Sequence, residues 1–162
     1  DMSELQTVGR DEKIIVDALI DEVLEDLEPL AQEKNIKLIG KCKDITMVGS
    51  DILIYRLVYN LVENAIKYNH LGGQVTVTAC QKEKHIYLSV EDTGSGIPED
   101  FRERVFEPFF RVDKSRSREL GGVGLGLALV REIVRVHDGS ITVRANPSGG
   151  TIFEVMFPQG YI

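Results

Sequence analysis

The chain has 162 residues, of which 43% are hydrophobic and 28% are charged, the size and composition of one ordinary globular domain. Its formal net charge of −7 argues against a nucleic-acid binder that works through a broad basic face, and no apolar run is long enough to cross a bilayer. The first residues are polar and do not resemble a secretory signal. Cys42 and Cys80 lack metal-site spacing, so we expect two reduced, buried thiols in a cytosolic protein.

Alternating and 3.6-residue hydrophobic patterns divide the chain into strands and helices. In chain order they predict a strand over 14–16, a helix over 17–35, strands over 36–42 and 45–48, a helix over 51–68, strands over 75–79 and 86–90, a short helix over 99–105, a helix over 125–136, and strands over 141–145 and 151–157. Asp17 is the expected N-cap of the first helix, and residues 81–84 are the expected hairpin turn. Helices mixed with hairpin-linked strands favour an α+β fold, a two-layer sandwich in which helices cover one face of a mixed, mainly antiparallel sheet.

The helix predicted over 51–68 carries polar residues on the side opposite its apolar face. Asn60, Asn64 and Lys67 are spaced i, i+4 and i+7, so they share that side. A solvated face is the ordinary interpretation, and the pattern taken alone favours it. A site for phosphate and its metal ion is the alternative, since Asn is a poor helix former and a Lys near an Asn can meet both.

Two glycine-rich segments have the character of ligand loops. Asp92, Gly94 and Gly96 follow a strand directly, so the carboxylate can accept a hydrogen bond from an exocyclic amine while the glycines admit a flat base; a simple glycine turn is the alternative. Residues 121–127 lead into a helix, where glycines expose backbone N–H groups to an anion. No Lys-Ser or Lys-Thr follows, as a P-loop requires, and Leu127 replaces the Gly or Ala of the dinucleotide fingerprint.

A basic segment precedes the second glycine loop. Its cations are Arg111, Lys114, Arg116 and Arg118. Such a run is usually a solvated face, but beside an anion-ready helix start a phosphate clamp is a fair rival. We expect residues 111–122 to form a mobile lid whose order depends on a terminal phosphate.

Five sequence boxes, taken in order, resemble those of sensor histidine kinases. They are residues 60–68 (NLVENAIKY), 92–97 (DTGSGI), 106–111 (FEPFFR), 122–127 (GVGLGL) and 149–151 (GGT), which look like the asparagine box, the first glycine box, the phenylalanine box, the second glycine box and the last glycine turn. The match runs from about residue 14 to residue 158. The resemblance implies the Bergerat fold, which is shared by gyrase, MutL, the heat-shock ATPase chaperones and histidine kinases.

The resemblance also implies a site for ATP and Mg²⁺ and a role for each matching residue. Asp92 would read the adenine amine, supported by Thr151 through a water. Asn64 would bind Mg²⁺, with Asn60 helping on the phosphate side. Lys67 and Arg116 would be the catalytic cations. The remaining nucleotide-binding positions are Tyr68, Gly94, Gly96, Ile97, Phe110, Arg111, Lys114, Arg118, Gly122, Val123, Gly124, Leu125, Gly126 and Leu127. Val123 departs from the Thr or Ser that these kinases commonly carry there.

The same resemblance implies a larger parent protein. Residues 1–10 look like the end of a dimerisation and phosphoacceptor helix with its linker, and residues 11–162 like the catalytic ATP-binding domain. This domain would present the γ-phosphate of ATP to a histidine on the separate dimerisation domain, for onward transfer to a response-regulator aspartate. We expect the isolated domain to be monomeric and cytoplasmic, and the parent to be a homodimer, anchored in the cell membrane in some members.

None of the three histidines lies in a phosphoacceptor box. His70 and His85 are expected at the surface, and His137 at a helix end where a cation is favourable. Two other functions stay open. A self-contained ATPase of the gyrase or MutL type needs a carboxylate where Asn60 stands, to activate water. A binding module without kinase activity would be expected to lack some of the box residues, whereas this chain retains them.

Overall fold

The computed structural model describes residues 5, 8–108, 110 and 126–159. Its helices are α1 (Val16–Glu33), α2 (Asp51–Lys67) and α3 (Gly126–Val136). Its strands are β1 (Glu12–Ile15), β2 (Lys37–Lys41), β3 (Thr46–Gly49), β4 (Gln74–Lys82), β5 (His85–Asp92), β6 (Ser140–Ala145) and β7 (Thr151–Pro158). Two 3₁₀ turns, Glu99–Phe101 and Arg104–Phe106, take the place of the short helix predicted over 99–105. Within these described ranges, no helix is both long and apolar enough to cross a membrane.

Five strands form one mixed sheet in the order β2-β4-β5-β7-β6. Strands β2 and β4 pair in parallel, whereas the pairs β4–β5, β5–β7 and β6–β7 are antiparallel. Strands β1 and β3 form a separate antiparallel pair. The mixed, mainly antiparallel sheet and its helices confirm the predicted α+β sandwich.

Helix α2 is the centre of the helical layer and contacts α1, α3 and the sheet. Its apolar side is buried along its whole length and consists of Leu53, Ile54, Leu57, Val58, Leu61, Val62, Ala65 and Ile66. The Ser50 side chain caps the N-terminal end by accepting the Leu53 N–H at 3.3 Å. Burial of one side fixes the rotation of α2 about its axis, so the polar residues opposite are presented along one edge of the layer.

Three local predictions were wrong. The two cysteines are not both buried, since Cys42 is half-buried and Cys80 is exposed. Asp17 is not an N-cap, because α1 begins at Val16 directly after the extended residue Ile15, and that end has no side-chain cap. Asp17 lies instead in the first turn, where the positive end of the helix favours a carboxylate. The β4–β5 turn is also shorter than the predicted 81–84, because the two strands pair as far as Lys82 and His85. The turn therefore consists of Glu83 and Lys84, and Glu83 is in the left-handed region with φ 57°.

His137 joins α3 to the start of α2 as a buried, neutral side chain. It is 8% exposed; its Nδ1 lies 2.8 Å from the Ile133 carbonyl oxygen, and its Nε2 accepts the Ser50 N–H at 3.0 Å. The acceptor role of Nε2 places the single ring proton on Nδ1. Burial lowers the pKa of His137, against the opposing effect of its bond to Ile133. The expected cation at this helix end is therefore wrong, whereas His70 is exposed as predicted.

The lowered pKa of His137 makes stability depend on pH. The unfolded chain takes up this proton at a higher pH than the folded chain does, so the contribution of the neutral ring is complete above about pH 6.5 and is lost as the pH falls through the folded pKa. His137→Gln should therefore weaken the loss of unfolding free energy between about pH 7.5 and pH 5, measured by urea denaturation. A profile in His137→Gln that matches that of the wild type would contradict this account.

Candidate functional site

A buried carboxylate, Asp92, ends strand β5. Alternate residues of β5 are buried, and Asp92 is the last of them, with 6% of its surface exposed. Its Oδ1 accepts the N–H groups of Gly94 at 2.9 Å and of Thr151 at 3.2 Å. Burial raises the pKa of Asp92, while these two bonds act in the opposite direction. No described residue donates to Oδ2, which is not sealed from solvent, so this oxygen can accept a ligand's N–H.

The turn before β7 wraps over the Asp92 backbone. Asn146, which is 7% exposed, donates its Nδ2 to the Asp92 carbonyl oxygen at 3.0 Å, and its Oδ1 accepts the N–H and hydroxyl of Ser148. Gly150 has φ +102°, and a Cβ there would overlap the Asp92 carbonyl oxygen. Gly150 is therefore required for both space and backbone conformation. Thr151 meets Asp92 directly through its backbone N–H, a contact that the water-mediated expectation did not include.

The C-terminal end of α2 lies against the other side of the Asp92 loop. The Tyr68 carbonyl oxygen accepts the Ser95 N–H at 3.4 Å, and a Cβ on Gly94 would overlap the same oxygen. Gly96 has φ +77° and lies beside the Gly150 carbonyl. The structure thus brings Tyr68, Gly94, Gly96 and Thr151 into one cluster of contacts with Asp92 and its loop; their role in nucleotide binding stays a prediction.

Asn69 locks this arrangement and was missed by sequence reasoning. It is 1% exposed. Its Oδ1 accepts the Thr93 hydroxyl at 3.1 Å and the His70 N–H at 2.8 Å, and its Nδ2 donates to the Gln74 carbonyl at 3.1 Å. Asn69 therefore ties the end of α2 to the loop and to β4. A buried Asn just after a helix is the signal that could have indicated this role.

The predicted phosphate and metal residues share the half-buried polar edge of α2. Lys67 Nζ lies 3.8 Å from a carboxylate oxygen of Glu63, a long, partly exposed ion pair of little strength that a phosphate could displace. The amides of Asn60 and Asn64 make no hydrogen bond to the described residues. Neutral amide oxygens suit Mg²⁺, which usually takes only one or two protein ligands beside water and phosphate oxygens. The donor set at Asn64 therefore fits that ion.

The second glycine box and the basic segment fall largely outside the described residues. That group comprises Arg111, Lys114, Arg116, Arg118, Gly122, Val123, Gly124 and Leu125. Gly126 begins α3 and is exposed, and Leu127 is half-buried. Phe110 is half-buried, with its ring centroid 5.7 Å from that of Phe101 and the Arg104 guanidinium 4.7 Å above it. Ile97 packs at the margin of the core.

Comparisons with known proteins agree on one family. The sequence profile described as histidine kinase-, DNA gyrase B-, and HSP90-like ATPase matches residues 49–161. The chain is 36% identical, over 158 residues or 96% of its length, to the sensor histidine kinase RppB of Synechocystis sp. (strain ATCC 27184 / PCC 6803 / Kazusa). It covers 35% of that protein. It spans about a third of the length of the curated relatives it matches.

Solved structures show the same fold. The mycobacterial sensor histidine kinase MprB has a TM-score of 0.82 at 30% identity, over 94% of this chain and 99% of that one. The histidine kinase ThkA in complex with the response regulator TrrA has a TM-score of 0.78 at 25% identity, over 93% of this chain and 42% of that one.

The contact between Gly150 and Asp92 can be tested with a matched neighbour. Gly149 and Gly150 both have positive φ, but a Cβ on Gly149 would meet nothing within 4 Å. Gly149→Ala should lower the unfolding free energy by about 1–2 kcal/mol, the cost of a left-handed residue with a Cβ. Gly150→Ala should cost about 1–3 kcal/mol more, because it also overpacks the Asp92 carbonyl. Equal losses for the two variants in urea denaturation would refute the close contact.

Proposed function

Because this chain belongs to the histidine kinase-, DNA gyrase B-, and HSP90-like ATPase family, we propose that it is the ATP-binding catalytic domain of a two-component sensor histidine kinase. In this role it presents the γ-phosphate of ATP to a histidine on a separate dimerisation domain. The observation that carries the proposal is the buried Asp92 carboxylate, which has one oxygen held by two backbone N–H groups and the other left to a ligand.

Asp92 suits recognition of adenine. Its Oδ2 can accept the exocyclic amine of the base, and its raised pKa is opposed by the Gly94 and Thr151 N–H groups that favour the ionised form. Gly94 is buried against the Tyr68 carbonyl oxygen, so its missing side chain lets the loop pack, and a flat base would approach on the side of the half-buried Gly96. Tyr68 at the end of α2 borders the same space and would pack against the sugar or base. Ile97 would add an apolar contact.

The polar edge of α2 suits the phosphates. Lys67 would meet phosphate oxygens after leaving Glu63, Asn64 would supply an amide oxygen to Mg²⁺, and Asn60 would act on the phosphate side. When bound, Mg²⁺ would neutralise part of the phosphate charge. On the basis of the sequence, the basic residues of 111–118 would pair with phosphate oxygens. The glycines of 122–126 would offer backbone N–H groups to phosphate at the start of a helix.

The acceptor histidine belongs to another part of the parent protein. Phosphoryl transfer depends mainly on positioning and charge neutralisation, which this site supplies; the chain's own His137 is buried and hydrogen-bonded. The parent would be a dimer that passes the phosphoryl group to a response-regulator aspartate, as the ThkA–TrrA complex suggests by analogy. The need for ATP would place the domain on the cytoplasmic side.

Adenine recognition is tested at Asp92. Asp92→Asn should weaken binding of Mg-ATP about tenfold or more, since a hydrogen bond to a charged acceptor contributes roughly 1.5–3 kcal/mol. GTP, which has a carbonyl in place of the amine, should bind poorly to the wild type. Glu91→Gln, one residue earlier on the opposite side of β5, is the matched control and should bind as the wild type does. Equal affinity for ATP and GTP in calorimetry would rule out this assignment.

Phosphoryl transfer is tested by separating donor from acceptor. Incubated with Mg-ATP labelled at the γ-phosphate, this chain alone should show no phosphohistidine and very slow hydrolysis, because Asn60 is an amide and cannot act as a general base. Adding the histidine-containing domain of the parent should give acid-labile label on that domain. The control replaces its acceptor histidine with Gln. Label on the isolated chain, or rapid hydrolysis without a partner, would refute the division of roles.

A further inference from the structure

Lys34, at the end of α1, caps the C-terminal end of α2. Its Nζ lies 3.2 Å from the carbonyl oxygen of Ile66, 2.8 Å from that of Lys67 and 2.9 Å from that of Asn69. An ammonium group has three N–H donors, and each of these three carbonyl oxygens lies within hydrogen-bond distance of it. The last carbonyls of a helix lack intrahelical partners and carry partial negative charge. Lys34 therefore satisfies this end of α2 in both hydrogen bonding and charge.

The backbone around Lys34 holds the same corner. The Lys34 carbonyl oxygen accepts the Gly72 N–H at 2.9 Å, and the Lys37 N–H donates to the Gly73 carbonyl at 3.0 Å. The side chain of Lys34 is half-buried, so its charge is less screened than that of a surface lysine. The loop from α2 to β4 is thus fixed to the end of α1 from two sides.

The carbonyls that Lys34 binds flank the residue that supports the Asp92 loop. Tyr68 lies between Lys67 and Asn69, and its own carbonyl accepts the Ser95 N–H and leaves no room for a Cβ on Gly94. A shift of the Tyr68 carbonyl would therefore move the segment whose Gly94 N–H holds Asp92. A short series of contacts thus joins Lys34 to the Asp92 carboxylate.

We propose that Lys34 is a positioning residue for nucleotide binding, which sets the Asp92 loop by holding the end of α2. The proposal rests on the ATP site proposed above. It predicts that the ammonium contributes to ligand affinity in addition to stability, because the contacts it fixes continue into the loop.

Calorimetry with Mg-ATP, below the unfolding temperature of every variant, tests the proposal. Lys34→Met keeps the aliphatic stem and removes the cap, and should bind about tenfold more weakly, equivalent to about 1.4 kcal/mol. Lys34→Arg keeps a cation with several donors and should recover most of the affinity. Lys41→Met, at an exposed position of β2, is the matched control and should bind as the wild type does. If Lys34→Met does not fold, Lys34→Gln replaces it.

NMR spectra of the ligand-free proteins give an independent readout. Removing the ammonium should shift the amide resonances of Gly94 and Ser95, and Lys34→Arg should restore them. A variant with a lower unfolding temperature but wild-type affinity and unshifted Gly94 and Ser95 resonances would overturn the proposal and leave a purely structural cap. Failure of the wild type to bind Mg-ATP would overturn the proposed function instead, and the amide shifts would still decide whether Lys34 sets the loop.

Discussion

The burial of the Asp92 carboxylate is the constraint on which most of this site depends. A buried charge is costly unless it is hydrogen-bonded, and here the donors are backbone N–H groups of Gly94 and Thr151, 57 residues apart in sequence. Bringing both within reach forces the backbone of two loops close to the end of β5. Glycine at 94 and at 150 follows, because a Cβ at either position would overlap a neighbouring carbonyl oxygen. Two glycine boxes that are distant in sequence are thus one structural unit.

A second constraint acts on α2, which carries the polar edge of the site. Its N-terminal end is held by Ser50 and by the neutral ring of His137, and its C-terminal end by Lys34 and Asn69. With its apolar side buried between the sheet and the other helices, the helix can neither slide nor rotate easily. The amides of Asn60 and Asn64 therefore stand at fixed positions relative to Asp92, which is the preorganisation that electrostatic binding of a phosphate chain requires.

Sequence patterns predicted the parts of this structure that depend on local periodicity. The strict alternation of β5 and the 3.6-residue repeat of α2 fixed which residues are buried, and the boxes identified Asp92 and its glycines. Asn69, Asn146 and Lys34 were missed because their partners are mostly backbone atoms that only the tertiary fold brings close. His137 was wrongly expected as a cation because its Nε2 accepts the N–H of Ser50, which lies 87 residues earlier in the sequence. The parallel pairing of β2 with β4 likewise has no local pattern.

The charges of the site explain why a metal ion belongs in the proposal. The chain is acidic overall, with a net charge of −7, and the group proposed to recognise the base, Asp92, is itself a carboxylate. Helix α2 carries two cations, Arg56 and Lys67, and two anions, Asp51 and Glu63, and Lys67 lies beside Glu63. Lys34 is occupied by three carbonyl groups. A triphosphate placed along α2 therefore meets little net positive charge from this helix, and repulsion in a partly buried site is stronger than in water. In the proposed site, affinity for ATP would come from the preorganised base site, from Mg²⁺ held by Asn64, and from the basic residues of 111–118 acting together.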